Sequence, residues 1–164
     1  MDLPHNFKYR TTFSGCMSKL LFANDDVDTL EERFVEFAKP IADRLEQLST
    51  ITNLVDFRNQ SAQFWLISSF RDLRGIVAAC ERKTYPMFFD WYFPRFIPVT
   101  LRALDALYDV PEVTTAILKF FAEFVLNRNG RMSWGTSSPN GILLFRETSN
   151  LLHTIGRKFI TFKN

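Results

Sequence analysis

The sequence predicts an all-α fold. Three observations lead there. Apolar residues recur at steps of three and four along several stretches, the spacing of one face of a 3.6-residue helix. No segment alternates apolar and polar residues as a half-buried strand requires. The chain holds 18 Phe against 6 Gly, which suits bulky rings packed between helices and not a turn-rich sandwich.

The first helix is expected over Arg10 to Phe22, where Phe13, Met17, Leu20 and Leu21 fall at helical steps. The clearest runs from Thr29 to Leu48, with Leu30, Phe34, Phe37, Ile41, Leu45 and Leu48 in one stripe. Asp28 is a suitable N-cap, Glu31 and Glu32 suit the positive end of the helix dipole, and Pro40 should kink the helix. Asn59 to Lys83 is a further helical segment. Thr84 to Asp109 is expected to be divided by Pro94 and Pro98 into a short and a longer helix. Glu112 to Asn127 follows, with Pro111 at the entry position and Asn127-Arg128-Asn129-Gly130 as the stop. The last helix starts at Ser138-Pro139, a cap followed by proline at the first helical position. In sequence order these pair into three helical hairpins of roughly 50 residues. Periodicity leaves an irregular bundle and a HEAT-like α-solenoid both open, the repeat length favouring the second.

Composition bounds the function. At 164 residues, 46% apolar and 23% charged, the chain is of folded, soluble type. Its net charge of +2 argues against a nucleic-acid binder. The first residues have neither a basic start nor an apolar core, so no signal peptide is expected. The longest apolar stretch, Pro86 to Val99, is interrupted by Asp90, Arg95 and prolines and is too short to span a bilayer. Cys16 and Cys80 are expected to be free, buried thiols in a reducing compartment. Charge is segregated: Asp25 to Leu48 carries five net negative charges and Arg128 to Asn164 five net positive. Such runs are commonly solvated helix faces, and they could also orient a protein partner.

No catalytic or cofactor motif is present: there is no phosphate-binding loop, no His-Glu-x-x-His and no Gly-x-Ser-x-Gly. The two histidines, His5 and His153, support neither a zinc site nor a general base. Asn24-Asp25-Asp26-Val27-Asp28 lacks the glycine and the bidentate acid of a calcium loop and reads as helix-entry acids. Gly135 to Gly141 reads as a capped turn, for want of a lysine to hold phosphate. The dense run Tyr85, Phe88, Phe89, Trp91, Tyr92, Phe93 and Phe96 is expected to fill a seam between helices, the rival being a groove for apolar peptide anchors. In Arg71-Asp72-Leu73-Arg74-Gly75, an ion pair across a helix seam is expected, with Gly75 permitting close approach; the rival reading is a basic spot on a concave surface. Arg71, Asp72, Arg74, Arg128, Arg131 and Arg146 are the candidate protein-interaction residues.

The string from Phe70 to Ile76, then Lys83-Thr84 and Asp90-Trp91, then Ser137-Ser138-Pro139-Asn140-Gly141-Ile142-Leu143-Leu144-Phe145-Arg146-Glu147-Thr148-Ser149 resembles the exportin-7 and Ran-binding-protein branch of the importin-β-like nuclear transport receptors. Tyr9 to Phe13, Ala122-Glu123 and Asn127-Arg128 also fit. The resemblance covers nearly the whole chain and matches a central segment of much longer proteins. It implies one HEAT-like α-solenoid segment of about three antiparallel hairpins spanning residues 1–164, a fragment of a longer receptor. It implies Ran-dependent protein export through the nuclear pore by non-covalent binding, between nucleus and cytoplasm. The implied partners are protein cargo, nucleoporins and Ran-GTP, without nucleic acid, membrane, metal or cofactor. The repeats that grip Ran in the family have no counterpart here, so no Ran-contacting residue is assigned. A stand-alone scaffold or adaptor without transport activity is the alternative. Interior repeats lack polar caps, so Phe13, Met17 and Leu21 at one end and Leu152, Ile155 and Phe159 at the other are expected to be exposed.

Overall fold

The computed structural model describes residues 7–23, 27–135 and 137–161, and of residues 27, 28, 159 and 161 the backbone alone. Six α-helices follow one another: α1 (Arg10–Phe22), α2 (Val27–Ser49), α3 (Gln60–Ala79), α4 (Thr84–Ala106), α5 (Pro111–Phe124) and α6 (Asn140–Thr161). Short 3-10 turns at Leu54–Arg58 and Arg128–Gly130 sit in two of the connectors. Among the described residues there is no strand.

Local chemistry accounts for most of the boundaries. Asn59 caps α3 by accepting a hydrogen bond from the Ser61 N–H at 2.9 Å. Thr84 Oγ1 accepts from the Glu81 N–H at 2.9 Å where α4 begins. Pro111 opens α5, where its missing N–H costs nothing. Two starts differ from expectation, that of α2 by two residues and that of α6 by one. Helix α2 begins at Val27, placing Asp28 inside the first turn. Helix α6 begins at Asn140, so Pro139 precedes it, and Ser138 Oγ accepts from the Asn140 N–H at 3.3 Å.

The larger difference is α4. Pro94 and Pro98 do not divide it; one helix of 23 residues runs through both. Each proline removes one N–H and frees one carbonyl, of Asp90 and of Pro94 respectively. Both prolines lie on the exposed side, where the freed carbonyls are open to solvent, while Phe88, Tyr92, Phe96, Val99 and Ala103 on the opposite side are at most 1% exposed and hold the helix in place. Exposed Pro40 sits in α2 the same way, and α2 likewise continues as one helix.

The helices form two rows. Helix α3 lies between α1 and α5, and α4 lies between α2 and α6. The core fills the space between the rows. Phe88 is the hub of the aromatic run, meeting Phe34, Trp91, Tyr92, Phe120 and Phe124 with ring centroids 5.8 to 6.4 Å apart. Tyr85 and Tyr92 are fully buried yet satisfied: Tyr85 donates to the Phe124 carbonyl at 2.6 Å, and Tyr92 pairs with Thr100 Oγ1 at 2.9 Å. The run from Tyr85 to Phe96 therefore fills a seam, as expected, with every ring buried but that of Trp91, which is partly so.

The α1–α3 crossing depends on glycine. A Cβ on Gly75 would fall 2.3 Å from the Thr11 carbonyl oxygen and 2.8 Å from the Gly15 nitrogen, so the two backbones touch. A Cβ on Gly15 would meet the Gly75 backbone more loosely, its carbonyl oxygen at 3.3 Å and its Cα at 3.8 Å. Gly75→Ala therefore forces α1 outward and costs about 2 kcal/mol, the overpacking cost exceeding the gain in helix propensity. Gly15→Ala stays within about 0.5 kcal/mol, because propensity offsets the milder contact. Urea unfolding midpoints of the two variants check the contrast.

Candidate functional site

Asp72 lies in α3 at the seam with α1 and α2 and is 6% exposed. Arg10 donates to it twice, from Nε at 3.0 Å to Oδ1 and from Nη2 at 2.5 Å to Oδ2. Ser14 donates through Oγ at 2.9 Å, and Arg44 of α2 reaches Oδ2 at 3.4 Å while also donating to Ser68 Oγ at 2.9 Å. One carboxylate thus joins three helices. Burial lowers the Arg44 pKa and the opposing Asp72 charge raises it, with the net shift downward. Arg10 and Ser14 stand one turn apart on the same face as Gly15, a polar-small pattern that marks the face turned to α3.

Arg71 is partly buried, donates to the Phe7 carbonyl at 2.7 Å and lies over the Phe7 ring at 5.4 Å. Arg74 is partly buried on the same helix. The Arg71 to Gly75 string is therefore an ion-pair seam with a close crossing at its end, Gly75, and two arginines nearer the surface.

Arg131 is 1% exposed, which removes it from any partner's reach. Its guanidinium donates to the carbonyls of Val77 at 2.6 Å, Glu123 at 2.5 Å and Leu126 at 3.1 Å, and lies 5.1 Å over the Tyr85 ring. The Val77 and Glu123 carbonyls lie in the last turns of α3 and α5, which lack intrahelical donors, and Leu126 follows just after α5. One side chain thus closes two helix ends and anchors the connector to α6. Asp72 and Arg131, both candidate contacts by sequence, are buried: both carboxylate oxygens of Asp72 and all three guanidinium nitrogens of Arg131 find their partners inside the chain. Arg131's burial leaves no sign in the sequence, because an arginine in a polar connector is ordinarily solvated.

Arg128 is exposed and pairs with Glu123 at 3.1 Å. Arg146 is exposed on α6 and pairs with the adjacent Glu147 at 2.7 Å. The structure thus brings Arg71, Asp72 and Arg74 together on α3 and Arg128 and Arg131 together around Glu123, while Arg146 stands apart. Some members of the charge blocks are paired off: Lys39 with Asp43, Arg95 with Glu46, and Lys158 with Asp105. Glu31, Glu32 and Glu36 line an open groove with Val35 and Lys39 on α2. Asp25 and Asp26 lie outside the described residues, as does His5.

Both thiols are free, but only Cys80 is buried; Cys16 is exposed on α1. Burial pushes the Cys80 thiol up to about 12. A disulfide reagent at mild alkaline pH should titrate one thiol in the native chain and two in denaturant. The unfolded thiol ionises near its ordinary value while the folded one holds its proton, so Cys80 makes the chain less stable as pH rises above about 9. Two thiols titrating at equal rates would overturn this. Among the described residues no three His, Cys, Asp or Glu side chains gather to hold a metal, and no helix is long and apolar enough to cross a membrane.

Both ends of the stack expose apolar rows. On α1 these are Tyr9, just before the helix, Phe13, Met17 and Leu20; on α6 they are Ile142, Phe145, Leu152 and Ile160. Three of the expected residues, Phe13, Met17 and Leu152, are among them. Leu21 and Ile155 are instead partly buried against the core, because each lies on the inward flank of its helix. The side chain of Phe159 lies outside the described residues.

No protein-family profile matches the chain, and no solved structure matches it. Individual proteins do. Exportin-7-B of Xenopus laevis is 40% identical over 157 residues, which is 95% of this chain and 14% of the relative. Ran-binding protein 17 of Mus musculus is 40% identical over the same length and shares. Exportin-7 of Dictyostelium discoideum is 36% identical over 153 residues, 93% of this chain and 15% of the relative. Over 95% of its length the chain is homologous to a segment of exportin-7 and the Ran-binding proteins, a segment amounting to about 14% of each.

Proposed function

We propose that this chain is a HEAT-like helical-repeat segment of an exportin-7-like nuclear transport receptor. It acts by binding protein partners, without covalent chemistry. The observation that carries this reading is the homology along nearly the entire chain to proteins named as an exportin and as Ran-binding proteins. The two-row packing of six helices supports it, since stacked helical pairs share a continuous core. The apolar rows on α1 and α6 support it too, as surfaces against which further hairpins would pack.

On this reading transport works through shape. A curved helical stack offers a broad face, and Ran-GTP and cargo are coupled when each favours a different curvature. Six helices are too few to enclose both ligands, so the chain contributes one stretch of that surface. Arg71, Arg74, Arg128 and Arg146 are its candidate contacts, and its setting is the nucleus, the cytoplasm and the nuclear pore.

A pull-down with GTP-loaded Ran, and separately with nucleoporin Phe-Gly repeats, tests the proposal. Retention of the pore repeats without Ran is the expected result. Failure to retain either would favour a helical adaptor with no transport role.

A further inference from the structure

The sequence contains two Asn-Gly pairs, Asn129-Gly130 and Asn140-Gly141. In such a pair the backbone nitrogen that follows asparagine can attack the side-chain amide carbon, because glycine has no Cβ to obstruct a five-membered ring. The fold places the two pairs in opposite settings. Asn129 and Gly130 are both exposed, in the connector between α5 and α6. Both have positive φ, 53° and 67°, and a Cβ on Gly130 would meet nothing within 4 Å. Among the described residues no hydrogen bond holds the Asn129 side chain. Asn140 and Gly141 instead open the first turn of α6. The Asn140 N–H donates to Ser138 Oγ and its side-chain amide to Asp90 Oδ1, both at 3.3 Å. The Trp134 ring lies 3.4 Å from a Cβ built on Gly141 and crowds that peptide. Ring closure requires the peptide after asparagine to rotate. At Asn140 that breaks the start of a 22-residue helix, whereas at Asn129 it disturbs only an exposed turn of three residues.

We propose that Asn129 is a site of spontaneous deamidation, selected over Asn140 by the fold. The Gly130 nitrogen forms a bond to Asn129 Cγ, the Cγ–Nδ2 bond breaks, and the Gly130 amide proton leaves with that nitrogen as ammonia. Water then opens the resulting imide. Cleavage at Cγ leaves aspartate, and cleavage at the α-carbonyl leaves isoaspartate, whose main chain is longer by one methylene group. The product acts on the structure because the turn is tied on both sides. Asn127 Oδ1 accepts from the Met132 N–H at 2.9 Å, and the Arg131 N–H donates to the Arg128 carbonyl at 3.1 Å. A methylene inserted between these ties displaces Arg131, whose buried guanidinium holds the ends of α3 and α5. Isoaspartate at 129 therefore loosens the connector to α6. The proposal goes beyond the transport reading and does not rest on it, because the reaction needs only water.

Ageing the 164-residue chain at physiological temperature and mildly alkaline pH provides the test. Peptide mass spectrometry over several weeks should show the Asn129 peptide gaining about one dalton and splitting into two chromatographic species, with the Asn140 peptide reacting roughly ten-fold more slowly. In denaturant the two should react at similar rates. An isoaspartyl methyltransferase with methyl-labelled S-adenosylmethionine should label the aged chain and leave aged Asn129→Gly almost unlabelled. Glycine keeps the positive φ without the amide, so this variant retains the fold. The isoaspartyl form, separated by chromatography, should unfold at a lower urea concentration than the fresh chain. No mass gain at Asn129, or reaction at Asn140 as fast or faster in the native chain, would overturn the proposal. A rate gap that persists in denaturant would overturn the part given to the fold, and an unchanged urea midpoint would overturn the displacement of Arg131. Retention of Ran or pore repeats has no bearing on these outcomes, so the two readings fail separately.

Discussion

Asp72→Ala should destabilise the chain by about 3 kcal/mol and release α1 first. The carboxylate is 8% exposed at its side chain, while Arg10 and Arg44 are 31% and 21% exposed at theirs. Removing it leaves two guanidinium groups facing each other across the α1–α2–α3 seam, with no anion between them, and strips Ser14 of its acceptor. The partial exposure of the arginines lets water take up some of the lost interaction, which places the cost at the lower end for a broken buried pair. Asp72→Asn keeps an acceptor for one donor and should cost about half as much. Urea unfolding gives the size of the effect. Hydrogen exchange over residues 10–22 gives its location, with protection lost in α1 before α3 and α5. Uniform loss across all helices would show that the carboxylate does not specifically hold α1.

Phe88→Ala should cost about 4 kcal/mol and act on the whole molecule. Phe88 is fully buried and touches rings from α2, α4 and α5. Its removal opens a cavity that those large, mutually packed rings cannot close, and the edge-on contacts with Phe120 and Phe124 go with it. Phe88→Leu fills most of the space and should cost about 1.5 kcal/mol. The readout is again the denaturant midpoint, and here exchange protection falls in all three helices together. A cost for Phe88→Ala below that of Phe88→Leu would mean that the site relaxes and that the seam is not tightly packed.

These two sites differ in how far they can be read from the chain alone. The aromatic run announces itself: rings at helical steps between Tyr85 and Phe96 require a seam, and the structure supplies one. The string around Asp72 announces an ion pair but not its partners, because Arg10 and Arg44 lie 62 and 28 residues away. The prolines of α4 mislead for a related reason. A proline's local cost is fixed, whereas the compensation comes from whichever side of the helix is buried, and that depends on its neighbours. Residues Leu20 and Leu21 make the same point on a smaller scale: adjacent leucines lie about 100° apart on a helix, and the position of α2 and α3 decides which one faces inward.

The sequence by itself determined the secondary structure class, the order of the helical segments and the residues most of the core is made from, because helical periodicity, caps and turn residues act within a few positions of one another. Its likeness to an exportin and to Ran-binding proteins was also written there, in the Arg71 to Gly75 string and the Ser137 to Ser149 string. The tertiary structure alone decided that Arg131 and Asp72 serve the inside, that Cys16 faces out, and that the exposed row of α6 runs through Ile142, Phe145 and Ile160 while Ile155 turns inward. Those properties depend on which helix lies beside which, and burial and pairing between distant residues are settled only when the two rows come together.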